Sequence, residues 1–263
     1  MILDQGAQAA REMPRLVTPD VLWTGGCLAL TLQGEPVHAH FNNFVVRGDD
    51  KVMLIDTGHP IHADEIDAAL DGFLGGRPVD YIFPTHVELP HSGLLPKWLA
   101  KYPGAVVVGE TRDYHLYYPE FADRFRLMGA GDVIDLGGRG IMLVPGVWAD
   151  LGHTLWAFDT ADRILFCADG LSITFHHKPG TSGLATSELP LPDLKMVRIL
   201  SELALQWTRY TDVAHSFGTL ERLLGMLAPR MIAPAHGAVI DDIDRLLPLI
   251  REAMDVKSHA RAF

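Results

Sequence analysis

Four apolar segments of this chain run into or out of a histidine or a carboxylate, and that recurrence constrains the fold more than composition does. Asp80-Tyr-Ile-Phe-Pro84 reads as a short buried strand that leads into Thr85-His86-Val87-Glu88-Leu89-Pro90-His91. Gly152-His153-Thr154 precedes a strand over 155–158, Asp169 follows one over 163–167, and Pro234-Ala235-His236-Gly237 follows one over 230–233. Strand ends from separated segments of one sheet system converge on a cleft, so these donors can meet. In extended backbone, residues two apart face one side, which aims His86 and Glu88 into the same space. His91 follows three positions later, past a proline expected to turn the chain. Any one of these is as readily a surface histidine or a satisfied core histidine. Taken together, His86, Glu88, His91, His153, Asp169 and His236 make a donor set for one or two divalent ions. Imidazole suits iron, zinc and copper, the carboxylates move the preference toward iron or manganese, and Asp169 is the natural bridge between two ions.

The surrounding pattern is expected to supply the scaffold. The stretches 21–34 and 40–58 read as strands, with 44–48 and 52–55 forming a hairpin. Helices are predicted over 61–73, 94–101 with Pro96 in its first turn, 111–118, 193–209, 216–228 and 241–254. Strands are predicted over 105–109, 133–136 and 141–144, and a loop over 174–192. Strands and helices interleaved in two successive halves predict an α/β fold of two packed sheets with helices outside. No linker or repeat divides the chain, so one domain is expected over 1–263, with its core at about 37–254.

Charge and cysteine usage narrow the functions. With 22 basic against 33 acidic residues, a net charge of −11 opposes a phosphate backbone, and nucleic acid is excluded as a general partner. Cys27 and Cys167 lie in apolar contexts and read as buried free thiols rather than a bridge or a metal pair, which suits a reducing cytoplasm. The N-terminus lacks a basic patch followed by an apolar core, and no apolar run is long enough to span a bilayer. Neither export nor a membrane location is expected.

Leu54-Ile55-Asp56-Thr57-Gly58, then Thr85-His86 with His91, then Gly152-His153-Thr154, the strand-end Asp169 and Pro234-Ala-His236-Gly237 together resemble the metallo-β-lactamase fold superfamily from about residue 37 to 240. The resemblance implies a four-layer αββα sandwich with metals at one edge of the two sheets. The superfamily's usual first motif is HxHxDH. Glu88 in place of the second histidine, with the following His-Ser-Gly-Leu-Leu-Pro96, is similar to the flavodiiron proteins and the smaller oxygen-binding diiron proteins, which use HxExDH and iron. Carried over, His86, Glu88 and His153 bind a first iron, His91 and His236 a second, and Asp169 bridges them. Asp56 either orients a metal-bound histidine or is a turn carboxylate capping the next segment. The departure is Pro90, which stands at the family's Asp and offers no donor atom. The second position then keeps two histidines and the bridge, unless His38, His40, His59, His62, His176 or His177 completes it, with His177 and His40 foremost. A single-metal protein stays open.

The resemblance implies a non-heme diiron protein that binds, senses or reduces O2, with NO as a second diatomic. Flavodiiron enzymes carry a flavodoxin-like domain to re-reduce their iron. Leu136-Gly-Gly-Arg-Gly140 does not match GxGxxG, so no flavin is expected in this chain and the electron donor is expected to be a separate partner protein. The alternative is a hydrolase of the superfamily, using one or two zinc or manganese ions to cleave a lactone, thioester or phosphoester through a metal-bound hydroxide. Glu88 and Pro90 stand against it, whereas the contexts of His153 and His236 are as typical of the hydrolases. A remnant fold with a damaged site rests on Pro90 alone. A homo-oligomer is neither required nor excluded.

Overall fold

The computed structural model describes residues 11–32 and 34–254, so the first ten positions of the segment read as lacking a leader lie outside the described residues. Two β-sheets pack face to face. The first has seven strands in chain order: β1 (Arg15–Thr18), β2 (Val21–Leu32), β3 (Glu35–Arg47), β4 (Val52–Ile55), β5 (Tyr81–Phe83), β6 (Val106–Gly109) and β7 (Phe125–Leu127). Pairing is antiparallel from β1 to β4 and parallel from β4 to β7. The second has β8 (Val133–Asp135), β9 (Gly140–Pro145), β10 (Leu155–Asp159), β11 (Ile164–Phe166) and β12 (Met231–Ala233), in the order β12-β11-β10-β9-β8. Only β11 and β12 run parallel within it.

The period-2 alternation of side chains sorts these residues into layers. Met53 and Ile55 of β4 join Phe44, Phe83, Ile141, Leu143, Ala157, Ile164 and Phe166 in the core between the sheets, where the rings of Phe44 and Phe166 meet with centroids 5.3 Å apart. Val52 and Leu54 face outward. They pack with Ile82 and Val107 under α1 (Ala63–Leu74), which contributes Ile66 and Leu70, and under Trp98 and Leu99 of a helix over Leu95–Lys101. On the other outer face Trp156, Phe158 and Leu165 pack beneath helices at Leu194–Ala204, Ala214–Leu227 and Ile243–Ala253 through Val197, Phe217, Leu220 and Ile250. Each such large apolar side chain stabilises the fold by about 1.5–3 kcal/mol relative to an exposed one. The result is the helix–sheet–sheet–helix sandwich that the resemblance implied.

Four local features differ from the sequence expectation. Pro90 does not turn the chain away. It is the second residue of α2 (Leu89–Ser92), where its missing N–H is tolerated, and α3 (Leu95–Lys101) follows at once. Ile61 is exposed, because 60–62 form a 3-10 turn and the buried stripe of α1 begins at Ile66. β7 carries only partly buried and exposed residues and therefore lacks an apolar signature. The helix predicted over 193–209 stops at Ala204, and 206–209 tighten into a 3-10 turn whose Trp207 indole donates to the Ala149 carbonyl at 2.8 Å. A short helix at Tyr114–Tyr117 is α4, and the three helices of the far layer are α5, α6 and α7 in chain order. No helix among the described residues is long and apolar enough to cross a membrane.

Candidate metal centre

The centre begins where β4 ends. Asp56 has φ 55°, in the left-handed region, which costs a non-glycine residue on the order of 1 kcal/mol. Its backbone N–H donates to Phe83 O at 2.9 Å, anchoring the turn to the neighbouring strand end. Oδ1 of Asp56 accepts from both the backbone N–H and the hydroxyl of Thr85, at 2.8 and 2.9 Å. Oδ2 accepts from His91 Nδ1 at 2.9 Å. Nδ1 of His91 is therefore protonated, and Nε2 is the nitrogen left to face the centre. Nε2 lies 3.2 Å from Asp169 Oδ1. Since the Thr85 hydroxyl proton goes to Asp56, Thr85 Oγ can accept from His86 Nδ1 at 3.3 Å, which fixes the same tautomer for His86.

Two further turns complete the arrangement. Asp169 follows β11 between Ala168 at φ 51° and Leu171 at φ 60°, and Ala235 N–H donates to Ala168 O at 2.7 Å, tying this turn to the end of β12. His236 donates from Nδ1 to His40 O at 2.7 Å, and its Nε2 lies 3.2 Å from Asp169 Oδ1. Gly237 has φ 83°, and a Cβ there would fall 1.8 Å from Ile173 O, so glycine is required for the turn that carries His236.

His86, Glu88, His91 and Asp169 each bring a donor atom within 4.8 Å of the others. His86 Nε2 is 3.9 Å from Glu88 Oε2 and 4.0 Å from Asp169 Oδ2. His86, His91 and Asp169 are buried, whereas the Glu88 side chain is 48% exposed at the rim. His86 Nε2, His91 Nε2 and Asp169 Oδ1 are buried without a hydrogen bond of good geometry. Such groups cost about 1–3 kcal/mol each when left unpaired, and their convergence is what a bound cation relieves. The electrostatics agree. Burial alone would raise the Asp169 carboxyl, yet His236 and His91 outweigh it and hold it well below the usual carboxylate range. Burial would lower His91, but Asp56 and Asp169 reverse this and raise it, and Asp169 does the same for His236. The carboxylates draw positive charge into the centre, and the imidazoles stand in for what an ion would supply. A mixed imidazole and carboxylate donor set of this kind fits iron.

The other sequence candidates distribute differently. His153 is absent from the group of four, although its Nε2 is buried without a hydrogen bond. Glu110, held below its ordinary range chiefly by Arg112, also feels the His153 ring. Asp150, which no sequence pattern singled out, brings Oδ2 to 3.4 Å from His86 Nε2, while its Oδ1 accepts from Leu151 N–H and the Thr154 hydroxyl. The only signal was an acidic residue three positions before His153, and the turn between them decides which one faces inward. Thr85 was also missed as the hub of the Asp56 network. His40 and His177 group with Cys27 rather than with the four. His59 Nδ1 accepts from Ile61 N–H, and the His62 ring lies against Gly26, where a Cβ would meet it at 2.4 Å. His38 and His176 stack with rings 4.8 Å apart.

The sequence profile described as the metallo-beta-lactamase superfamily matches residues 42–186, more than half of the chain. Coenzyme F420H(2) oxidase of Methanothermobacter marburgensis is 29% identical over 248 residues, covering 86% of this chain and 57% of that protein. The chain spans about half the length of the curated relatives it matches. Rubredoxin oxygen:oxidoreductase from Desulfovibrio gigas superposes with a TM-score of 0.69 at 17% identity, over 90% of this chain and 59% of that one. The chemotaxis sensor ODP, solved as a peroxy diiron species, gives a TM-score of 0.64 at 18% identity over 100% of both chains. At these identities the structural likeness carries the fold, and with the profile match the conclusion is that the chain belongs to the metallo-beta-lactamase superfamily.

Proposed function

We propose that this protein is a non-heme diiron protein that binds or reduces O2, with electrons delivered by a separate donor. The observation that carries the reading is the convergence of buried, unbonded His86 Nε2, His91 Nε2 and Asp169 Oδ1 on one point. The relationship to an F420H(2) oxidase and the likeness to a diiron chemotaxis sensor support the same chemistry. In this reading His86 and Glu88, with Asp150 or His153, would hold one iron, His91 and His236 would hold the other, and Asp169 would serve both. A ferrous pair, when bound, supplies two electrons to dioxygen.

The protein's own groups then have defined tasks. Asp56 and His40 O keep Nδ1 protonated on His91 and His236, which presents both Nε2 lone pairs inward. Phe41 packs edge-on against His236, with centroids 5.7 Å apart, and shields that imidazole from water. Glu88, at the rim, is held below its ordinary carboxylate range chiefly by the neighbouring His86 and keeps a negative charge at the mouth. Pro90 leaves the second position one carboxylate short, so that position is the open one. The hydrolase alternative is not favoured, because the relatives named above are oxygen-linked oxidoreductases or diiron proteins.

The test is anaerobic reconstitution with ferrous iron followed by exposure to air. The expected result is two irons per chain and an oxygen-dependent ferric absorption, with oxygen consumption once a reductant is added. Stoichiometric zinc with no iron uptake, together with hydrolysis of an activated ester at above about one per second, would overturn the reading.

A further inference from the structure

Outside the centre just described, a second cluster of ligand-type side chains has the marks of a built site. Cys27 on β2 and His40 on β3 are direct cross-strand partners, so their side chains share one face of the sheet. The segment after β11 returns along the same strand: His38 bridges to Phe175, and His177 N–H donates to His38 Nδ1 at 3.2 Å. This brings His177 Nε2 to 3.3 Å from Cys27 Sγ. One atom each of Cys27, His40 and His177 lies within 4.8 Å of the others.

Both imidazoles are held in the ligating tautomer. His40 Nδ1 donates to His38 O at 3.1 Å, and His177 Nδ1 donates to Lys178 O at 3.0 Å, so in each ring the lone pair is on Nε2. The His38 ring stacks on His177 with centroids 3.8 Å apart and fixes its plane. His40 is fully buried, and its Nε2 has no hydrogen-bond partner, an unpaired acceptor that a cation would satisfy. With Zn–S near 2.3 Å and Zn–N near 2.0–2.1 Å, the S···N edge of a tetrahedral zinc site is about 3.5 Å, close to the spacing between Cys27 and His177.

We propose that Cys27, His40 and His177 form a second metal site, separate from the carboxylate-rich centre, that takes a zinc ion. One thiolate and two imidazoles without a carboxylate are a borderline-soft set suited to zinc, whereas His86, Glu88, His91 and Asp169 suit iron. Binding replaces the thiol proton: the Cys27 S–H bond breaks, a Zn–S bond forms, and the proton leaves to solvent. Three protein ligands leave the fourth position for water. These three ligands are distinct from those of the diiron reading.

The test uses the full chain with iron loaded first, then titrated with Co2+ as a visible probe and Zn2+ as competitor. The expected result is one further equivalent of Co2+ with a thiolate-to-cobalt charge-transfer band, which the sulfur-free first centre cannot give, bleached by stoichiometric Zn2+. Cys27→Ser should abolish the band. His177→Ala should weaken zinc binding by about 100-fold or more, because even the groups that orient metal ligands are worth 10–100-fold. The exposed neighbour variant His176→Ala should retain the band, as should Asp169→Asn, in which the first centre is impaired. A folded wild-type protein without the band, or a band that survives Cys27→Ser, would overturn the proposal.

Discussion

Asp56 Oδ2 sits 2.9 Å from His91 Nδ1 across 35 residues of chain, and this contact sets the tautomer of a histidine whose other nitrogen faces Asp169. Asp56→Asn keeps the volume but puts an amide N–H where the acceptor was, which favours the proton on Nε2. Metal affinity should fall roughly 10–100-fold, read by competition with a chromophoric chelator. Unchanged affinity in a folded variant would make Asp56 only a turn carboxylate.

Asp150 and His153 compete for one role beside His86. Because Asp150 Oδ2 is already 3.4 Å from His86 Nε2, Asp150→Ala should lose most of one metal equivalent and His153→Ala should lose less. Metal analysis after identical reconstitution checks the order, and the reverse order would restore His153 as the ligand.

Pro90 lies in the first turn of α2, beside His91. Pro90→Asp supplies the absent carboxylate at a position where proline's missing N–H was not in use, and occupancy of the second metal position should rise. Thermal unfolding must accompany the titration, since removing proline also loosens the unfolded chain. A folded variant with unchanged stoichiometry would mean that another group already completes the position.

Away from the centre, Asp159 tests the electrostatics of the fold. Burial raises its carboxyl above the ordinary range, with Arg139 and the N–H groups of Ala161 and Asp162 pulling the other way. A raised folded value means that the native state takes up the proton first. Stability from this group is therefore largest below the unfolded value of about 3.9 and is lost as pH rises through the folded one. The difference in urea-unfolding free energy, wild type minus Asp159→Asn, should fall as pH rises from about 4 toward neutral. A difference that is flat or rises would refute the shift.

Much of the architecture was legible because it is local. Alternation within 52–55 separates Met53 and Ile55 from Val52 and Leu54, and that alone implies a sheet covered on both faces. The i, i+2 spacing of His86 and Glu88, the following His91 and the strand-end settings of Asp169 and His236 likewise marked five of the six residues that meet at Asp169 or His86, all but Asp150. β7 was illegible because its residues bury little, and the end of α5 because Trp207 is held by a carbonyl more than fifty residues away, at Ala149.

Periodicity and residue chemistry are carried by neighbours in the chain, and they set the layers and the kinds of donor present. Which donors meet depends on how distant segments pack. The turn after Trp148 brings Asp150 against His86, a contact that no motif marked. The β2–β3 register sets Cys27 opposite His40, and the return of 173–177 along β3 adds His177 to that pair instead of to the Asp169 centre. The β2–β3 register follows from the short connection between the two strands, whereas the path of the returning loop is fixed by contacts between segments more than a hundred residues apart, such as His177 N–H with His38 Nδ1, and no local pattern encodes it.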